Sequence, residues 1–141
     1  DPVTGVKVGE TEADYLARVI ARNIETGQIP PATTYKIIED TDLPTREYRN
    51  AWRFNGTVLK HDMAVARQIK LDTEIRPERN KRLVAKDVEI SKAMAERNTA
   101  LVDSLEVKRQ ALRDMPVTVK PSIDAIADPA ALKVWQPVWP A

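Results

Sequence analysis

The sequence predicts an α+β chain that is mostly helical, and three observations carry that expectation. Apolar residues recur at helical spacing between residues 15 and 24 and across much of residues 62–115. A short β-favouring stretch, RNAWRFNGTVLK, separates the two helical regions. The last stretch, from Pro116 to Ala141, carries five prolines. Together they divide the 141 residues into a small α/β head (1–61), a helical arm (62–115) and a Pro/Trp-rich docking tail (116–141).

In the head, Thr11 is placed to cap a helix, with Glu12 and Asp14 in its first turn and Gly27 just past its last. Tyr15, Leu16, Val19, Ile20 and Ile24 make one apolar stripe, which marks Leu16 and Ile20 as core residues. Pro30-Pro31 forbids continuation. Tyr35, Ile37 and Ile38 then read as a strand, bounded by Pro31 and by Glu39, Asp40 and Asp42. Two more short strands flank Asn55-Gly56, a pair that tolerates the positive φ of a type I′ hairpin turn. Trp52 and Phe54 fall on one strand face because alternate residues point the same way. A three-stranded antiparallel sheet covered by the first helix is therefore expected to bury both.

The arm opens on Asp62, a good N-cap, and contains no glycine. Pro77 lacks a backbone donor and predicts a kink or restart; Asn98-Thr99 predicts a second break, with Thr99 as the cap of LVDSLEVKRQALRDM. The result is a long kinked arm or helical hairpin. Met63, Ala66, Ile69, Leu83, Val84, Val88 and Met94 are expected along one side, and Leu101, Leu105 and Leu112 along another. These stripes are thin for so many charges. The arm needs the sheet, a partner helix or copies of itself to complete a core.

In the tail, Asp128-Pro129 reads as the N-cap and first position of a short helix that ends before Pro137. Trp135, Val138 and Trp139 are too apolar for a free tail. With Leu105 and Leu112 they form the expected interaction surface, prestiffened by proline.

Composition excludes much chemistry. Net charge is +1, with −1 over residues 1–61 and +2 over 62–114, a balance that favours neither nucleic acid nor an acidic membrane surface. Arg76, Arg79, Lys81 and Arg82 form one basic cluster, diluted by Glu78 and read as a solvated helix face. There is no cysteine, and no apolar run approaches the ~20 residues that span a bilayer. The chain starts at Asp1-Pro2, which predicts an upstream segment that was cleaved or lost, or one too mobile to be seen.

His61-Asp62 lacks a nucleophile and an orienting third group, and Asp62 already has a capping role. Glu39, Asp40 and Asp42 lack the Gly-punctuated loop of a calcium site, and four scattered glycines make no phosphate loop. Tyr48, Trp52 and Phe54 beside Arg46, Arg49 and Arg53 resemble a base-stacking platform, but strand alternation favours buried aromatics and exposed arginines. No catalytic, cofactor or metal site is expected.

RNAWRFNG followed by HDMAVAR, then RQALRDMP and the closing ALKVWQPVWP, resembles a group of small tail-region proteins of tailed bacteriophages and prophages. YLARVIARN and the acidic turn Asp40-Thr41-Asp42-Leu43-Pro44 belong to the same pattern, so the resemblance covers nearly the whole chain. The segment from Arg109 to Pro116, with Trp139-Pro140, is also similar to the end of phage tail-assembly chaperone proteins. That pattern often carries an Asp-Trp ahead of RQALRD; here the region reads AERNTALVDSLEVK, without tryptophan. The resemblance implies a virion tail protein that docks on other tail proteins or on copies of itself. An assembly chaperone in the host cytoplasm is the alternative, and a nucleic-acid regulator using Arg76–Arg82 is a third class.

Overall fold

The computed structural model describes residues 7–140; the expectation about the start at Asp1 lies outside them. The chain divides into two compact units, Asp1–Leu43 and Pro44–Ala141. The expected boundary after His61 thus falls inside the second unit.

In the first unit, α1 spans Glu12–Glu25. Its start is a capping box: the Thr11 hydroxyl accepts from the Asp14 amide, and the Asp14 carboxylate accepts from the Thr11 amide. Gly27, at φ 77°, ends it in the left-handed region. Arg18 donates to both carboxylate oxygens of Glu10, at 2.7 and 2.8 Å, tying the helix to the turn before it. With the Lys7 amide, this holds the Glu10 carboxyl down at about 2. Leu16 and Ile20 are half-buried rather than core, and no residue of α1 is fully buried. Leu16 shares a shallow cleft with Ile37 and Ile38.

The expected third strand is absent among the described residues: residues 33–39 are irregular, and Tyr35 and Ile37 are exposed. β preference reflects fit to a pleated, half-buried surface more than a backbone preference. The existing strands are too short to offer much of one. β1 (Trp52–Phe54) pairs antiparallel with β2 (Leu59–His61), Trp52 opposite His61 and Phe54 opposite Leu59. Their connection is not the two-residue turn expected. Residues 55–58 form the loop; Asn55 Oδ1 accepts from the Thr57 and Val58 amides, and only Gly56 takes positive φ.

From α2 (Met63–Lys70), capped by Asp62 Oδ1 on the Ala64 and Val65 amides, the chain runs through a π turn (Leu71–Ile75) into α3 (Arg76–Ala95). The expected kink at Pro77 is this π turn. Widening the helix just before proline relieves the clash of its ring with the carbonyl of Thr73 and lets the helical course continue. The second break is real, but Asn98, not Thr99, is the cap: its side chain accepts from the Leu101 amide. Arg97 takes φ 54° there, and the Asn98 amide reaches back to the Ala93 carbonyl, a Schellman ending with arginine where glycine is usual.

α4 (Thr99–Thr118) returns along α3 as a hairpin, and α5 (Lys120–Asp124) and α6 (Pro129–Val134) follow. Pro116 lies inside α4, so the expected tail begins within a helix. Met115, Val119 and Ile123, four residues apart, all face the core, and that continuous burial outweighs the missing donor. The main core joins them to Ala51, Ala66, Leu71, Ile75 and Leu132. A smaller one in the hairpin consists of Ile90, Ala93 and Leu105.

Candidate functional site

The most buried polar group in the second unit is a lysine. Lys70 follows Ala66 by one turn on the core face of α2 and has 0% exposure. Its ammonium donates to Glu74 Oε2 at 2.5 Å and to the Lys133 carbonyl at 3.1 Å. That carbonyl lies in the last turn of α6, the end of a helix where a cation is favoured. Glu74 Oε1 also accepts from Lys133 Nζ at 3.2 Å. Burial pushes the Glu74 carboxyl up, but the hydrogen bonds from both lysines outweigh it, and the group sits below the usual carboxylate range. The Lys133 ammonium lies 6.0 Å from the centre of the Tyr48 ring. The Tyr48 hydroxyl is buried without a hydrogen-bond partner, and burial, with the Glu74 charge, raises it to about 12.

A second polar group surrounds the hairpin. His61 Nε2 is 2.5 Å from the Glu47 carbonyl and 3.0 Å from Trp52 Nε1. A carbonyl can only accept, so Nε2 carries the proton and donates to Glu47, and the indole N–H donates instead to the Thr45 carbonyl at 3.2 Å. The Glu47 backbone amide and the Thr45 hydroxyl hold the Glu47 carboxyl low against its desolvation. His61 is thus a strut and Asp62 a helix cap.

Trp52 is half-buried, with the Arg49 guanidinium 5.4 Å from its ring centre, and Phe54 is 42% exposed. The expectation that both are core fails for Phe54 and holds only partly for Trp52.

The expected interaction residues are redistributed as well. Leu105 and Leu112 are buried inside their own unit. Trp135 and Trp139 pack half-buried on the main core, and Val138 alone of the five is open, at 94% exposure. Besides the Lys133 contacts with Glu74 and Tyr48, polar ties hold this segment: Arg67 donates to the Ile126 carbonyl, Lys70 to that of Lys133, and Arg82 stacks 4.8 Å from the centre of the Trp139 ring. The tail closes its own fold.

Open apolar surface lies instead on α3. Val84, Val88 and Met94, part of the stripe expected to need the sheet, a partner helix or a second copy, are exposed, because Ile90 and Ala93 take the side facing α4. Val84, Val88, Ser91 and Ala95 line a shallow groove flanked by Asp87 and Lys92. In the basic cluster, Arg76 pairs with Asp72 and Arg82 with Glu78. Among the described residues, no three His, Cys, Asp or Glu side chains gather as a metal site, and no helix is long and apolar enough to cross a membrane. Sequence reasoning missed the Lys70 cluster; its one signal, an i,i+4 Lys–Glu pair, is ordinary on helix surfaces.

Comparison with protein-family models, with curated proteins and with solved structures finds no match.

Proposed function

We propose that the protein is a non-enzymatic structural or accessory component of a bacteriophage tail, in its fibre, baseplate or distal region. It acts by docking on other tail proteins or on copies of itself, in the virion, without a cofactor, nucleic acid or membrane. The observation that carries this reading is the run of motifs from YLARVIARN to WQPVWP, which resembles small phage tail-region proteins across nearly the whole chain. Two features of the geometry support it. His61 and Asp62 are occupied in holding the hairpin and capping α2, which leaves the one histidine no catalytic partner. The α3–α4 hairpin turns Val84, Val88 and Met94 outward, apolar surface available to a partner.

The second reading, an assembly chaperone acting in the host cytoplasm, is favoured by one observation, the likeness of Arg109 to Pro116 and of Trp139-Pro140 to the end of tail-assembly chaperones. Mass spectrometry of purified virions separates the two. A stoichiometric band is the expected result, and absence from mature particles turns the assignment to the chaperone. Cleavage of glycan or peptidoglycan that disappears on substitution of His61 would overturn the non-enzymatic reading.

A further inference from the structure

We propose that the outer face of α3 is a self-association seam that takes the same face of a second copy of this chain, parallel and in register. Val84, Val88, Ser91 and Ala95 are spaced four, three and four residues apart, the rhythm of a coiled-coil seam. They occupy the side of α3 away from its hairpin partner, since Ile90 and Ala93 face α4. Val84 is 65% exposed and Val88 50%, so the seam is open within the chain itself.

The flanking charges identify the occupant and its direction. With Val88 and Ala95 at a and Val84 and Ser91 at d, Asp87 falls at g and Lys92 at e. In a parallel, in-register pair a g residue meets the e residue five positions on in the other helix. Asp87 then meets Lys92 of the copy, and symmetry repeats the pair. An antiparallel copy on the same stripe sets Asp87 against Met94 and Lys92 against Ala85, with no ion pair. Asp87 also receives Arg109 from α4 at 3.0 Å, which holds it at the edge of the seam. Lys81, at the preceding a position, ends the apolar run. Less than two heptads of small side chains make a weak contact, one that forms when copies are concentrated. This deepens the docking reading by naming a partner and surface, and rests on it only in that docking needs a partner.

The full chain has no cysteine, so Ser91→Cys introduces a single thiol at d, where the parallel pair brings two together. Under mild oxidation this variant is expected to give a disulfide-linked dimer, while a Ser104→Cys control on α4 stays monomeric. No dimer, or equal yields from both, overturns the proposal.

The charges give an independent test by sedimentation. Asp87→Lys and Lys92→Glu, each alone, place like charges across the seam and are expected to be monomeric. Mixed, they restore both pairs and form a heterodimer. Circular dichroism checks that each variant is folded; Arg109 keeps Glu106 as a partner when Asp87 is replaced. Two folded variants that fail to associate on mixing, or a wild-type chain still monomeric at about 1 mM, overturn the proposal. Self-association and virion content are read separately, so a dimer missing from virions removes only the tail-component reading.

Discussion

The ammonium of Lys70, wholly removed from solvent, lies 2.5 Å from Oε2 of Glu74, one turn along the same helical run. Lys133 joins the pair from α6 through both its carbonyl and its side chain. Burying the Lys70 ammonium costs desolvation and gains stability only when its hydrogen bonds are complete, while the Glu74 side chain keeps 30% of its surface in solvent. Here the pair stitches α6 to the α2–α3 run, in a place where an apolar side chain of the same length could also fill the space.

Lys70→Ala should therefore destabilise the chain by about 3 kcal/mol, from a cavity plus a carbonyl and carboxylate left short of donors. Lys70→Met fills the cavity but leaves the same carbonyl and carboxylate short of a donor, so it should cost about 1 kcal/mol less than the alanine variant and still be destabilising. Urea unfolding of both variants tests this, and equal losses would refute the volume argument. Because Glu74 is held below its ordinary 4.5, its contribution is complete above that pH and is lost as pH falls through the folded value. Glu74→Gln should flatten this acid limb of the stability curve.

Tyr48→Phe should stabilise the protein by about 1 kcal/mol, because it removes a buried hydroxyl that has no partner. The folded phenol is raised to about 12 from 10.0, so between those values the unfolded state releases a proton that the folded state keeps. Stability of the wild type should fall as pH rises through that window, and the Phe variant should lack this part of the fall. Thermal melts from neutral to alkaline pH check both expectations.

Arg97 is an L-residue at φ 54° in the turn between α3 and α4. Glycine adopts that conformation without Cβ strain, so Arg97→Gly should raise stability by ~0.5–1 kcal/mol despite its greater freedom when unfolded. A measured loss would mean that the arginine side chain makes contacts worth more than the strain.

Ending the chain after Lys120 should abolish cooperative folding of the second unit. The truncation removes Ile123 and Leu132, both fully buried, together with the packing of Trp135 and Trp139. Each lost aliphatic side chain is worth ~2–5 kcal/mol against a total stability of ~5–15 kcal/mol. Calorimetry decides: a sharp melting transition retained by the shortened chain would make the segment from Pro121 onward a dispensable appendage.

Helix boundaries were largely legible because they depend on neighbours close in the chain. Thr11, Asp62 and Asp128 each accept from amides two or three residues on, and Gly27 supplies a positive φ that its own lack of Cβ permits. Asn98 beside Thr99 shows the limit of that reading, since two adjacent residues can both cap and only the path of the turn chooses. The candidate site was less legible. Of its expected residues only Val138 is fully open to a partner, and the sequence leaves open whether the α3 stripe meets the sheet, a partner helix or a second copy.

By itself, then, the sequence determined the mostly helical class, the caps at Thr11, Asp62 and Asp128, the hairpin at Asn55-Gly56 and the thinness of the apolar stripes. Tertiary structure decided which stripe is covered. α3 carries apolar residues on more than one side, and the approach of α4 along Ile90 and Ala93 left Val84 and Val88 in solvent. It also decided the fate of Lys70, a residue that belongs on the surface by composition and lies inside because Glu74 and the end of α6 complete its hydrogen bonds. Phe54 stays exposed on its two-stranded ribbon, and the tail is internal because Ile123 and Leu132 fill the core beside Ala66 and Leu71. Caps and turns are settled by hydrogen bonds a few residues long, whereas burial depends on surfaces that meet from distant parts of the chain.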